Sequence, residues 1–181
     1  MRKRGLLIAL LLIMQGAGIV SAQPEDDNPK AEIYAAIDRF DAVFGPDVWR
    51  YTASDQPVRT TVFWLSQPLN GVGYLDILRY RDGFGAGAAA EFLANLNTWF
   101  AAVLSNYQPW TLKRFCNFGG LLLYEFDGTF SDEPYAIRYW FDQIAPDAVL
   151  TMQLLMPARL RTEFEGYAAQ LFPDASSCAP G

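Results

Sequence analysis

The sequence predicts an α+β fold, an antiparallel sheet of about six or seven strands with a central and a C-terminal helix packed on it. Three observations predict it. Stretches rich in β-branched and aromatic residues recur on both sides of residues 86–105, parted by connections too short for crossovers. Within 86–105, AGAAAEFLANLNTWFAAVLS, the residues Phe92, Leu93, Leu96, Trp99, Phe100, Val103 and Leu104 recur at steps of three and four, the apolar stripe of a helix facing a core. A second such stripe, Leu160, Phe164, Tyr167, Ala168 and Leu171, lies just before Pro173.

The elements follow in chain order. Met1 to Arg4 is basic, Leu6 to Val20 is apolar, and Val20-Ser21-Ala22 offers a small-residue cleavage site, so residues 1–22 read as a secretory signal peptide, with an uncleaved anchor as the alternative. Residues 23–30, QPEDDNPK, read as a flexible linker; their acidic cluster lacks the ligand spacing and glycine turn of a calcium loop. Residues 31–178 are assigned to a single α+β domain and 179–181 to a tail. Ile33, Ile37, Phe40 and Phe44 space residues 31–44 as a helix stopped by Gly45-Pro46, although Phe40, Ala42 and Phe44 also alternate.

Strands are expected at 48–53, 58–65 and 72–80, with turns at Asp55-Gln56-Pro57 and Pro68-Leu69-Asn70-Gly71. After the central helix they resume at 111–118, 121–126, 135–144 and 149–156. In YAIRYWFD, Tyr135, Ile137, Tyr139 and Phe141 share one face and Ala136, Arg138, Trp140 and Asp142 the other, which predicts one buried and one partly wet face. Residues 158–172 form the last helix.

Composition supports a core and narrows the chemistry. The chain has 181 residues, 51% hydrophobic and 15% aromatic, enough for one sizeable core. Its net charge is −6, and removal of Arg2, Lys3 and Arg4 with the leader leaves 11 basic against 20 acidic residues, or −9. That balance argues against nucleic acid or an anionic membrane surface as partner. With no histidine, Ser-His-Asp and Cys-His catalysis and histidine-based zinc sites are excluded. No metal site is expected.

Two motifs invite a sharper reading. Gly83 to Ala88, GFGAGA, stands between a strand and a helix, the context of a dinucleotide-binding turn. The preceding strand, however, carries Asp76 and Arg79, the following one offers no acid for a ribose, and export removes the cofactor. We read the run as a flexible helix entry and expect no cofactor. The carboxylate pairs Glu125 and Asp127, Asp132 and Glu133, and Asp142 and Asp147 are the candidates for hydrolysis. Glu125-Phe126-Asp127-Gly128 and Ser131-Asp132-Glu133-Pro134 look more like hairpin-turn chemistry.

Cys116 and Cys178 are the only cysteines, and in an exported chain they are expected to form a disulfide tying the tail to a central strand. Of the five tryptophans, Trp140 is the candidate for partner or ligand contact, together with Arg138, because both fall on the face predicted to be wet.

The segments FGPDVW (44–49), AAAEFLANLNTWF (88–100), NFGGLLLYEF (117–126) and VLTMQLLMPARLRTEFEGYAAQLFPDAS (149–176), in the order three strands, helix, four strands, helix, resemble the PsbP-like fold family. The chain departs from that family at 31–44, where a strand would begin it. The resemblance implies a non-enzymatic protein acting through protein partners, or an exported protein.

The functional expectation is a secreted or periplasmic, non-enzymatic domain that binds a partner protein or a small ligand, with no nucleic-acid role and no membrane role after cleavage. Two alternatives make distinct structural demands. A carboxylate-dependent hydrolase needs two carboxylates converging in a cleft. A carrier of a small apolar ligand needs a cavity between helix and sheet, under Trp99 and Phe100.

Overall fold

A computed structural model describes residues 30–56, 59–79, 84–103 and 107–178. The expected leader at 1–22, nearly all of the linker and the tail at 179–181 lie outside the described residues. Seven strands form one antiparallel sheet: β1 (Arg50–Gln56), β2 (Arg59–Ser66), β3 (Gly71–Arg79), β4 (Thr111–Phe118), β5 (Leu121–Phe130), β6 (Glu133–Ala145) and β7 (Ala148–Pro157). Their order across the sheet is β1-β2-β3-β7-β6-β5-β4. Three helices accompany them, α1 (Lys30–Asp41), α2 (Ala86–Val103) and α3 (Arg161–Leu171), with a 3-10 turn on either side of α3 at Ala158–Leu160 and Pro173–Ala175. The α+β class, the antiparallel sheet and the central and C-terminal helices are as the sequence predicts.

The topology is two meanders joined at the middle. β1-β2-β3 is the first and β4-β5-β6-β7 the second, and α2 carries the chain from the last strand of one to the outer strand of the other. The second meander then runs back inward until β7 pairs with β3, from Val72 opposite Leu155 to Arg79 opposite Ala148. β7 is therefore the middle strand, and all ten of its residues are buried. An apolar run such as AVLTMQLLMP suits a strand covered on both faces.

Burial of both faces is the main departure from expectation. α2 lays Ala89, Phe92, Leu93, Leu96 and Phe100 on one face, against Tyr124, Ile137, Tyr139 and Phe141. α1, α3 and the C-terminal segment cover the other, where Phe40, Phe44, Phe164, Leu171 and Phe172 meet Trp64, Leu123, Trp140 and Met152. The alternation in β6 sorts its side chains as predicted, yet the face expected to be partly wet is a second core. Alternation tells which residues share a face, but not what lies over it.

Two boundaries move for physical reasons. β5 continues through Asp127-Gly128 to Phe130, and the turn falls on Ser131 and Asp132, both at positive φ. Gly128 is a close-approach position: a Cβ there would meet Ile137 Cδ1 at 2.9 Å and Trp110 Cδ1 at 3.1 Å. The buried stripe of α2 ends at Phe100, with Trp99 half-buried and Val103 exposed. The glycine-rich entry opens a helix between antiparallel meanders, not a βαβ unit, which removes the context of a dinucleotide turn.

Candidate functional site

Trp140 and Arg138, the sequence's candidates for surface contact, are both interior. Trp140 is 0% exposed. Its indole stacks on Phe172 at 4.9 Å, and Nε1–H donates to the carbonyl oxygen of Ala175 at 2.8 Å. Arg138 is 2% exposed and donates from Nε to Glu125 Oε1 at 3.0 Å. Its Nη1 lies 2.6 Å from Glu165 Oε2 without hydrogen-bond alignment, so that contact is ionic, and its Cζ sits 5.0 Å over the ring of Phe164. A buried guanidinium needs such partners to offset desolvation. The exposed aromatic patch expected around Trp140 is therefore absent, because α3 and the chain after it cover it.

The same region holds the disulfide. Cys116 of β4 and Cys178 are joined, with Cα atoms 5.7 Å apart. The backbone N–H of Cys178 donates to Glu125 Oε1 at 3.2 Å, and Arg114 Nη1 donates to the Cys178 carbonyl oxygen at 3.0 Å. A buried ion pair, two backbone hydrogen bonds and a covalent link thus hold the C-terminal segment across β4 and β5. The linked pair fits an oxidising, exported environment.

The carboxylate pairs do not converge. Glu125 faces Arg138, whereas Asp127, two residues along the strand, is exposed and ion-paired with Lys113 at 3.0 Å. Asp132 lies exposed in the β5–β6 turn, and Glu133 accepts from Arg159 Nε at 2.9 Å. Asp142 and Asp147 sit at the opposite end of β6 and in the turn after it. Rings occupy the space beneath Phe100, where Trp99, Tyr107 and Trp110 lie at centroid distances of 5.3, 5.5 and 5.5 Å. Phe92 fills toward β6 against Tyr139 and Phe141.

One surface stands out that no sequence motif marks. β4 is an outer strand of the sheet, and no described strand pairs with its free edge. Of the eight large hydrophobic residues exposed among the described residues, three are on this one eight-residue strand: Leu112 at 51%, Phe115 at 42% and Phe118 at 40%. A register shift between Leu112 and Arg114 puts Leu112 on the α2 side with Phe115, whose ring lies 4.6 Å from Tyr124. Phe118 is on the opposite side with Cys116. Lys113 and the register shift blunt the start of the edge, while Phe115 to Phe118 continue in regular register to the Gly119-Gly120 turn, where both glycines have positive φ. The signal was present in the sequence, since TLKRFCNF lacks the regular apolar alternation of its neighbours.

No protein-family model matches this chain, and no curated protein is similar enough to count as a match.

Proposed function

We propose that the chain is an exported, non-enzymatic domain that binds a partner protein through β4, whose free edge receives an extended segment of that partner. The observation that carries this reading is the concentration of exposed Leu112, Phe115 and Phe118 on an outer strand. A strand edge offers unpaired backbone groups, and apolar side chains on both its faces offer contacts to alternate residues of an added strand. Cys116 and Arg114 anchor the strand to the C-terminal segment, so the surface is held in place before binding. Export with cleavage before Gln23, to the periplasm or the medium, is part of the proposal, and the disulfide supports it. So is a PsbP-like relationship, for which the order βββ-α-ββββ-α is the support. The dispersed carboxylates and the rings packed beneath Phe100 favour this reading over hydrolysis or carriage of an apolar ligand.

A photo-crosslinking residue placed at exposed Asn117, in the producing cell, tests it against the same residue at exposed Asn95 on α2. The expected result is a discrete adduct from position 117 alone, abolished by Phe115→Ser with Phe118→Ser. Equal labelling from both positions, or an adduct insensitive to those changes, overturns the proposal.

A further inference from the structure

The free edge of β4 carries charge beside its apolar surface. Lys113 and Arg114 are the only charged side chains of the strand and both are exposed, in a chain whose net charge is −6. Arg114 donates from Nη1 to the Cys178 carbonyl oxygen at 3.0 Å, which fixes the guanidinium and leaves other donors over. Glu125, which stands opposite Arg114 on β5, is engaged by Arg138 at 3.0 Å, so no carboxylate among the described residues pairs with Arg114. Lys113 reaches Asp127 at 3.0 Å, but both side chains are more than half exposed, and such a pair is screened and readily exchanged. Positive charge thus stands directly beside Phe115.

We propose that the segment received by β4 is acidic and amphipathic, an extended stretch of the partner in which apolar residues alternate with Asp or Glu. This rests on the reading of β4 as an edge that accepts an added strand. Residues directly opposite in an antiparallel pair share a face, so Phe115 lies on the α2 side with Tyr124 and Arg114 on the α3 side with Glu125. Successive side chains of an added strand also point to opposite faces. An apolar residue set against Phe115 therefore brings its neighbour to Arg114, where a carboxylate accepts a charge-assisted hydrogen bond. A second copy of this chain suits the edge less well, because its own β4 would bring the same two cations. The net charge of −6 favours a basic segment in general, and the two cations of β4 favour an acidic one at this place. The two fields pull in opposite directions, and the sign of the preference tells which one governs binding.

The test uses the protein with its disulfide intact and short, end-blocked peptides that alternate valine with glutamate, glutamine or lysine, followed by fluorescence anisotropy. The glutamate peptide is expected to bind about fivefold more tightly than the glutamine peptide in low salt, the equivalent of one exposed ion pair, with the lysine peptide weakest. Added salt narrows this spread, and Lys113→Gln with Arg114→Gln abolishes it while the glutamine peptide binds as before. Phe115→Ser with Phe118→Ser weakens all three, which locates them on β4. Equal affinities, a preference for the lysine peptide, or a glutamate preference that survives loss of both cations overturns the proposal and leaves strand addition standing. Absence of binding by every peptide, or binding that ignores the two Phe changes, overturns both. If the Arg114 variant does not fold, Lys113→Gln and the salt dependence of the unaltered protein decide.

Discussion

The indole of Trp140 and the ring of Phe172 are stacked at 4.9 Å with 21° between their planes, which ties the centre of β6 to the first residue after α3. Phe172 also packs on Phe40 of α1 at 5.7 Å and lies under the Arg39 guanidinium at 5.1 Å. One ring therefore joins the sheet to both helices of that face. Phe172→Ala is expected to cost about 3–5 kcal/mol, the range for emptying a buried aromatic site, read as a lowered urea midpoint with unchanged m-value. A loss below about 1 kcal/mol would mean that the segment is not held as described.

Arg138 and Glu125 form a buried ion pair, and Glu125 also serves the Cys178 N–H. Glu125→Ala strands the guanidinium with Glu165 as its remaining acidic partner and is expected to cost about 3 kcal/mol. Combining it with Arg138→Met should recover part of that loss, because the uncompensated buried charge is then gone. A double-mutant cycle in urea checks the coupling; strict additivity would show that the pair does not interact.

The Cys116–Cys178 link spans 62 residues of sequence. Closing a loop of that length removes unfolded-state entropy worth about 4 kcal/mol in the chain-entropy model. The native protein should show no thiol to a titrating reagent before reduction, and reduced protein should melt at lower temperature while keeping its sheet signal in circular dichroism. Two thiols reactive without reduction would contradict the bond.

Much of this fold is legible from residue pattern alone, and its limits can be located. β4 and the start of α2 fall where turn residues and apolar period place them, because those signals are local. The true end of β5 was hidden, since Asp127-Gly128 carries turn chemistry; what requires glycine there is the approach of Trp110 and Ile137, a tertiary contact. Arg138 and Trp140 fall on the face that alternation predicts, and their burial depends on α3 and on residues after 171, which are distant from them in sequence.

Two glycines separate tight packing from open surface. A Cβ on Gly73 would lie 2.7 Å from Phe44 Cζ, and that ring is confined by Trp49, Trp64 and Tyr167 at 4.8, 4.9 and 6.0 Å. Gly73→Ala is expected to destabilise by about 1–3 kcal/mol through overpacking. Gly166, inside α3, has nothing within 4 Å of the corresponding position. Gly166→Ala should stabilise by about 0.5–1 kcal/mol through lower unfolded-state entropy. A Gly73→Ala midpoint that does not fall would refute the packing described around Phe44, and a Gly166→Ala midpoint that falls would refute the open surface described at Gly166.

Tyr135 makes the fold sensitive to alkali. Burial is the main cause that pushes its phenol up to about 12 from the ordinary 10.0; the Glu133 carboxylate adds to this, while the Asn70 side-chain bond and Arg159 oppose it. Burial also raises the phenol of Tyr107, against the weaker opposing effect of its backbone contact with Trp110. The ionised form is the one the fold disfavours, so the folded chain holds the proton where the unfolded chain releases it. The stability from Tyr135 is fully present below pH 10 and is lost as pH rises from there through about 12, and that from Tyr107 is lost at still higher pH. Tyrosinate absorbance should accordingly lag behind that of unfolded chain and rise together with loss of the sheet signal. Tyr135→Phe removes one such group and should flatten the decline of the urea midpoint above about pH 10. A midpoint that falls with the same slope in that variant would show that Tyr135 does not contribute to the alkaline transition.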